Sequence, residues 1–220
     1  MNRFLNDNLI FDYENGLFEL IIERVLKCSK KMVEDNVSLA NNEPKIAAHL
    51  VETYLNNDKF LNEFSLPHIP IRFDVETSEN YNEYNNSYVG RTDIRAVSTT
   101  WLFSNKEAYY LIECKKIDGG KRLNREYVTE GIQRFVSGKY SSYYGKNIMF
   151  GFVVKNINVC ENVNKINTIH ADKLGKSVKQ NLLLSKCESE EHWIYSSFYD
   201  SNGKNLELCH LFYDFSSIIE

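Results

Sequence analysis

The stretch AYYLIECKKI, residues 108–117, constrains the fold of this chain more than any other part of its sequence. Its apolar first half is typical of a β-strand, but Glu113, Lys115 and Lys116 follow at positions where such a strand should still be buried or half-buried. Burying a charge without a partner is costly. The fold must therefore supply a compensating partner at the end of this strand.

The composition is that of an ordinary globular protein. The 220 residues are 43% hydrophobic and 25% charged, enough for one domain, residues 1–220, with a sizeable core. No apolar run approaches the roughly 20 residues that span a bilayer, and residues 1–16 lack the pattern of a secretory signal. The five cysteines are widely spaced without a CxxC pair, which argues against a zinc site or a disulfide framework. These features predict a cytoplasmic protein with no membrane partner.

The net charge of −4 argues weakly against a general polyanion-binding protein, but the charge is unevenly distributed. Residues 115–146 include eight basic residues and only three acidic ones. Such a local excess of positive charge is what contact with a phosphate backbone requires. A solvated loop and helix face explains the same excess equally well.

The first half of the chain predicts helices followed by a meander of strands. Apolar residues at helical spacing predict a helix over 16–35. A second helix begins near Glu43, with Asn42 as its N-cap and Pro44 in its first turn. Alternating or apolar runs, separated by a polar loop over 80–87, predict strands over residues 69–76, 88–103 and 108–117.

The second half predicts a helix, a buried strand and then more of both. The continuous apolar run NIMFGFVV, residues 147–154, is typical of a strand buried on both faces. One or two helical stretches are predicted within 158–186, the better of them over 171–186. The remaining predicted elements are a helix over 125–144 and two strands over 192–200 and 206–215, joined by the turn SNGK.

The charges that end the strand 108–117 predict a common site with Asp93. Side chains at i and i+2 of a strand share a face, so Glu113 and Lys115 project together while Cys114 faces the opposite layer. If the preceding strand pairs alongside, Asp93 reaches the same point. Two neighbouring carboxylates repel unless a cation lies between them, and Mg²⁺ prefers oxygen ligands. Each of these residues therefore has a role in metal-assisted phosphodiester hydrolysis.

The pattern of Asp93, nineteen residues, then Glu113-Cys114-Lys115 resembles the core motif of the PD-(D/E)XK nucleases, the restriction-endonuclease-like superfamily. The resemblance covers about residues 40–155 and implies a central mixed β-sheet flanked by α-helices. It implies that Asp93, Glu113 and the Cys114 carbonyl bind Mg²⁺, for which Mn²⁺ can substitute, and that Lys115 assists the attacking water. The residue before Asp93 is Thr92, where the motif's name has proline.

Further site residues follow from the same resemblance. A glutamate on the preceding helix often completes the metal site, which implies Glu43, with Glu76 as a competing candidate. The helix after the lysine strand often contributes a glutamine or a basic residue. This implies that Gln133 belongs to the catalytic site. The resemblance also makes Arg134 a candidate for contact with substrate. Three further candidates come from their positions in the sequence: Lys116, which meets solvent or phosphate, Lys121, in a flexible turn that can touch the substrate backbone, and Tyr140, which can stack or hydrogen-bond from the same helical face as Gln133.

These residues predict a Mg²⁺-dependent nuclease that cuts DNA, of the kind used in bacterial restriction or anti-phage defence, acting as a homodimer or with a partner subunit. A second hypothesis is a non-catalytic module of the same fold that binds nucleic acid or joins a larger complex. A third is a different α/β enzyme in which the match is chance and the carboxylates lie apart. Singly, Asp93 also fits a strand-end carboxylate, and Glu113 with Lys115 fits an exposed pair on an edge strand.

Overall fold

The strand predicted over 108–117 lies inside a seven-stranded sheet in the computed structural model, which describes residues 3–63, 70–82, 87–99, 108–189 and 192–220. In these parts of the chain the spatial order is β1-β2-β3-β4-β7-β6-β5. The strands are β1 (Ile71–Asn82), β2 (Ser87–Ser98), β3 (Tyr109–Ile117), β4 (Lys146–Val153), β5 (Val178–Ser189), β6 (His192–Ser201) and β7 (Lys204–Asp214).

The sheet is mixed, as predicted. β3 pairs parallel with β4, and β4 pairs parallel with β7, whereas the other neighbours are antiparallel. β4 is buried along its length except at Lys146, because it lies between two parallel neighbours with helices on both faces. The α/β class and the buried strand NIMFGFVV are therefore confirmed.

Helices cover both faces of the sheet. The helix α1 (Arg3–Glu34) packs on one face with α2 (Glu43–His49), which continues as a π-helical turn, Leu50–Leu55. The opposite face carries α4 (Lys121–Glu126), a π-helical turn (Tyr127–Ile132), α5 (Gln133–Val136) and α6 (Val159–Leu174). The remaining helical pieces are α3 (Asp58–Glu63) and two short 3₁₀ helices, Gly175–Ser177 and Ser216–Ile218.

The alternation of β3 divides its residues between two apolar cores. Ile112 and Cys114 belong to the core under α1 and α2, while Leu111 and Ile117 belong to the core under α4 to α6. Glu113 and Lys115 therefore face the second helical layer, at a depth where their charges need partners.

The capping residues predicted for the start of α2 are confirmed. The Asn42 side chain accepts a hydrogen bond from the Lys45 amide at 3.1 Å, and Pro44 occupies the first turn of α2, as predicted. The first helix, however, starts at Arg3 rather than near residue 16. Gly16 lies within it, at a cost of only about 1 kcal/mol relative to alanine.

The helix predicted over 171–186 is wrong. The helix is α6, capped by Asn158, and it ends at Gly175, whose φ of 48° breaks the helical path. The chain then enters β5, which pairs antiparallel with β6 through several register irregularities. The C-terminal hairpin is confirmed, because Asn202 and Gly203 adopt the positive φ angles, 54° and 80°, that its two-residue turn requires. No helix in the described part of the chain is long and apolar enough to cross a membrane.

A chain of hydrogen bonds runs through the buried layer under α6. With both of its histidines, His170 and His210, neutral, one arrangement of protons satisfies all five contacts. This chain of hydrogen bonds links, in order, Asn181, His170, Tyr199, Ser197, His210 and Tyr127. The five successive donor–acceptor distances are 3.0, 2.6, 2.8, 2.6 and 2.9 Å.

This series of hydrogen-bonded side chains predicts that the protein loses stability in mild acid. Burial lowers the pKa of His170 and, together with the neighbouring His170, lowers that of His210 well below its usual value. The unfolded chain protonates both near pH 6.5 while the folded chain does not, so folding weakens as pH falls below about 6.5. We expect a loss of up to about 1.4 kcal/mol per pH unit for each histidine.

Urea unfolding between pH 7.5 and pH 5 measures this effect, with His210→Gln as the comparison. The other titrating groups are common to the two proteins and cancel in the difference of slopes. The variant should lose the part of the pH slope that His210 contributes. Identical pH slopes in wild type and His210→Gln would show that His210 is not an acid-sensitive group.

Candidate active site

The two strands that carry the predicted site separate where its residues begin. β2 and β3 pair as far as Ile94 and Ile112, whereas β3 continues to pair with β4 up to Ile117. One edge of β3 beyond Ile112 is therefore left without a neighbouring strand. Its backbone N–H groups need other acceptors.

Two carboxylates supply those acceptors. Asp93 Oδ2 accepts a hydrogen bond from the Cys114 amide at 2.7 Å, and Glu43 Oε2 accepts one from the Lys116 amide at 2.9 Å. Glu43 is the first residue of α2, so the start of this helix lies against the open edge of β3. The gap between the strands is thus lined by acidic side chains.

The ammonium of Lys115 lies among four oxygen atoms at this gap. Its Nζ is 2.8 Å from Glu113 Oε1, 3.0 Å from Glu43 Oε1 and 3.8 Å from Asp93 Oδ2. It also donates to the Cys114 carbonyl oxygen at 2.7 Å. We call these three carboxylates and one carbonyl the oxygen cluster. It is the compensating partner that the charged end of the strand requires.

A glycine lets the second helical layer approach this lysine. A Cβ atom on Gly131 would lie 2.5 Å from Met149 Cε, closer than carbon atoms can approach, and 3.5 Å from Lys115 Cγ. The bare backbone therefore packs directly over the aliphatic part of Lys115. The side chain of Lys115 is 10% exposed, so its ammonium is held away from bulk water.

Glu113 is held from its other side by Arg134 and Tyr140. Arg134 Nη1 donates to Glu113 Oε1 and to the Tyr140 hydroxyl, both at 2.7 Å. The Tyr140 hydroxyl lies 2.9 Å from Glu113 Oε2 and 2.7 Å from the Arg91 carbonyl, and its one proton can serve only one of them at a time. Glu113 Oε1 therefore has a fixed donor in Arg134, whereas Oε2 shares the Tyr140 proton with the Arg91 carbonyl.

Burial and mutual repulsion shape the charges in the cluster. Burial, followed by the nearby charge of Asp93, raises the pKa of Glu113 to about 7, even though Lys115 and Arg134 oppose the shift. Burial also raises the pKa of Glu43. The pKa of Lys115 is raised because its three carboxylate neighbours outweigh the effect of burial, which acts in the opposite direction. The ammonium therefore stays charged at neutral pH.

The donor set is the one that a hard divalent cation prefers, because the four described atoms that Lys115 Nζ contacts are carboxylate or carbonyl oxygens. The spacing is that of an ammonium group, since Mg²⁺ holds oxygen ligands at about 2.1 Å. Among the described residues, no group of three or more His, Cys, Asp or Glu side chains is arranged to hold a metal ion as it stands. Binding Mg²⁺ therefore requires the ammonium to leave and the oxygens to draw together.

The structure brings five of the predicted residues together and separates two others. Glu43, Asp93, Glu113, Cys114 and Lys115 form or fill the oxygen cluster. The two separated residues are Glu76, which is exposed and paired with Arg91, and Gln133, which is exposed and makes no described contact with the cluster.

The residues predicted to contact substrate have different surroundings. Arg134 binds Glu113, the Lys116 ammonium donates to the Asn41 carbonyl at 3.0 Å, and Lys121 is exposed at the start of α4. The helical position predicted for Tyr140 is wrong, because α5 ends at Val136. The Tyr140 ring is only 2% exposed, so it cannot stack on a base, and only its hydroxyl reaches the cluster.

Gly131 and the Arg91 carbonyl are the parts of the site that sequence reasoning missed. A glycine within a helical pattern indicates close packing against a neighbour, and GIQRF, residues 131–135, contains that signal. The Arg91 carbonyl had no signal, because any residue provides a backbone carbonyl.

Comparisons with models of known protein families, with curated proteins and with solved structures found no match to this chain. What the protein does must therefore be inferred from the chemistry of its own residues.

Proposed function

We propose that this chain is a Mg²⁺-dependent nuclease with a restriction-endonuclease-like core, hydrolysing phosphodiester bonds of DNA. The observation that carries the proposal is the oxygen cluster around Lys115 Nζ, at the point where β2 and β3 separate. A chance match to the motif would leave Asp93 and Glu113 apart, but oxygens from both lie within 3.8 Å of one cationic nitrogen.

The residues of the cluster suit the binding of a metal ion. Glu43, Asp93, Glu113 and the Cys114 carbonyl would hold Mg²⁺, or Mn²⁺ in its place. When bound, the metal supplies positive charge that polarises a phosphate and makes a bound water more acidic. Arg134 and Tyr140 orient Glu113 and keep its oxygens directed into the gap.

Lys115 acts as a cation in this proposal. Its carboxylate neighbours raise its pKa, so its amine does not accept a proton at neutral pH. Once drawn away from the carboxylates, the ammonium can donate hydrogen bonds to the attacking water or to the phosphate oxygens that gain charge. The predicted assistance of Lys115 to the attacking water is then to orient that water and to stabilise charge on the phosphate.

A second candidate function is the non-catalytic module, in which the same cluster is a structural ion network. The favouring observation is that two cations, Lys115 and Arg134, already neutralise most of the charge of the three carboxylates. Roles in restriction or anti-phage defence, a homodimer and a partner subunit stay predictions in either case.

Incubation of the purified protein with single-stranded DNA, plasmid DNA and linear duplex DNA tests the proposal. We expect cleavage with Mg²⁺ or Mn²⁺, none after EDTA treatment, and none from Asp93→Ala, since Asp93 both bounds the gap and supplies a metal ligand. Calorimetric titration of the wild-type protein with Mg²⁺ separates the two candidates. Mg²⁺ binding without cleavage of any DNA form, or the absence of carboxylate-dependent binding, would favour the module.

A further inference from the structure

A groove runs along the end of the sheet where β4 and β7 begin. It consists of two adjoining cavities of about 590 and 460 Å³, which share four lining residues. One side is formed by the loop before β4, and the other by the β6–β7 turn and the adjacent part of β6. The shared residues, Tyr144, Gly145, Asn205 and Leu206, make the two cavities continuous.

Each cavity presents an exposed aromatic ring. Tyr143 lines the first and is 50% exposed, and Phe198 lines the second and is 37% exposed. The Tyr143 ring is supported edge-on by Tyr144 at 4.9 Å, and Tyr144 stacks on the buried Tyr110 at 4.4 Å. Tyr143 is thus held on a packed support while much of its surface remains open to a ligand.

The groove is positively charged and rich in hydrogen-bonding groups. Its described lining contains three lysines, Lys146, Lys179 and Lys204, against the single carboxylate of Glu207. Lys146 is paired with Glu207 at 3.2 Å and Lys179 with Asp200 at 3.7 Å, whereas none of the described contacts engages the exposed Lys204 side chain, which carries the excess positive charge. Amide and hydroxyl groups add to these charges, from Asn202, Asn205, Ser141 and Ser142.

The groove begins beside the oxygen cluster. Tyr140 lines the first cavity, and its hydroxyl lies 2.9 Å from Glu113 Oε2. One tyrosine side chain therefore separates the groove from the carboxylates to which cleavage is assigned. A polymer bound in the groove has its neighbouring units close to the candidate active site.

We propose that this groove binds a single strand of nucleic acid, with one base stacked on Tyr143, another on Phe198, and phosphates near Lys204 and Lys179. Rings combined with a positively charged track are the means by which proteins hold unpaired strands, since unpaired bases expose their faces. A duplex keeps those faces covered, so it cannot use the two rings. The assignment rests on the proposed function, and it makes unpaired DNA, or an unpaired segment next to a duplex, the substrate.

Fluorescence anisotropy in EDTA, with a labelled single-stranded DNA of about 12 nucleotides, tests the groove without cleavage. We expect Tyr143→Ala and Phe198→Ala each to weaken binding by about 5- to 150-fold, the range for loss of one stacked base. Lys204→Ala should weaken binding and reduce the salt dependence by about 0.7 in the log–log slope. Leu184→Ala is the matched control, because Leu184 is also 50% exposed and apolar but lies outside the groove.

Circular dichroism checks that each variant is folded. In the anisotropy assay, a duplex of the same sequence should bind to the wild-type protein at least tenfold more weakly than the single strand. The proposal that the groove binds a single strand is overturned if Tyr143→Ala and Phe198→Ala bind DNA like wild type, or if the duplex binds as tightly as the single strand. Tighter binding of an RNA strand with the same ring dependence supports the groove and identifies its ligand as RNA. If the ring variants weaken binding but no metal-dependent cleavage is found, the nuclease proposal fails and the groove proposal is supported. If cleavage is found but neither ring variant changes binding, only the groove proposal fails.

Discussion

Replacing Lys115 by methionine should lower the free energy of unfolding by about 3–5 kcal/mol in EDTA, the usual cost of removing one partner from a buried ion network. The ammonium lies within 3.8 Å of three carboxylates, and the Glu113 side chain is only 1% exposed. Methionine fills the space of the lysine stem but leaves those charges without their shared cation. Urea unfolding of wild type and Lys115→Met in EDTA measures the loss.

The same variant should regain stability when Mg²⁺ is added. With the ammonium gone, the oxygen cluster is free to draw around a metal ion, and a ligand at a hundred times its Kd adds about 2.7 kcal/mol. Wild type should gain less, because Lys115 competes for the same oxygens. Cleavage should nevertheless be lost in Lys115→Met, because no ammonium remains to act on the water or the phosphate.

Lys116→Met is the matched control for both effects. It removes a lysine from the next position of β3, but that ammonium contacts the Asn41 carbonyl and lies outside the oxygen cluster. We expect a change within roughly 1 kcal/mol and no dependence on Mg²⁺ beyond that of wild type. If Lys115→Met is as stable as Lys116→Met in EDTA, or does not respond to Mg²⁺, the oxygen cluster is not a cation site.

The placement of the cluster could be predicted from β3 because a strand alternates. The i and i+2 spacing put Glu113 and Lys115 on one face and Cys114 in the opposite core, where the structure has them. The sequence alone could not decide whether Glu43 or Glu76 completes the site. Glu43 reaches the edge of β3 because α2 begins there, and this depends on how the helix packs on the sheet.

The predictions that were wrong have a common cause, which is that contacts between residues distant in sequence decided the local structure. Residues 182–184 are three consecutive leucines, a run whose periodicity does not distinguish a helix from a strand, and the chain joined the sheet as β5 because β6 was available as a partner. Tyr140 was assigned to a helix that ends at Val136, and its burial depends on packing against Phe135 at 5.2 Å. The groove was not predictable either, because Tyr143 is more than 50 residues away in sequence from the β6–β7 hairpin that carries Phe198 and Lys204.

Glu113→Gln should separate the catalytic value of this carboxylate from its effect on stability. We expect cleavage to fall by about 10²- to 10³-fold, the range found when one group that stabilises a transition state is removed. We expect stability at pH 8 in EDTA to rise by about 1–3 kcal/mol, because an amide of the same shape removes a charge that the fold disfavours.

The sign of the stability change follows from the pKa of Glu113, which burial and then Asp93 raise to about 7 in the folded protein. The unfolded chain ionises near pH 4.5, so the folded state binds the proton more tightly and loses stability as pH rises from 4.5 to 7. The gain from Glu113→Gln should therefore be complete above pH 7 and absent below 4.5.

Glu76→Gln is the control, since Glu76 is an exposed glutamate paired with Arg91 outside the cluster, and it should change neither cleavage nor stability appreciably. Cleavage by Glu113→Gln at the rate of Glu76→Gln would remove Glu113 from the active site. A loss of stability in Glu113→Gln would mean that its charge serves the fold through Lys115 and Arg134. If Glu113 both destabilises the protein and proves necessary for cleavage, its function explains why a charge lies at the end of a buried strand.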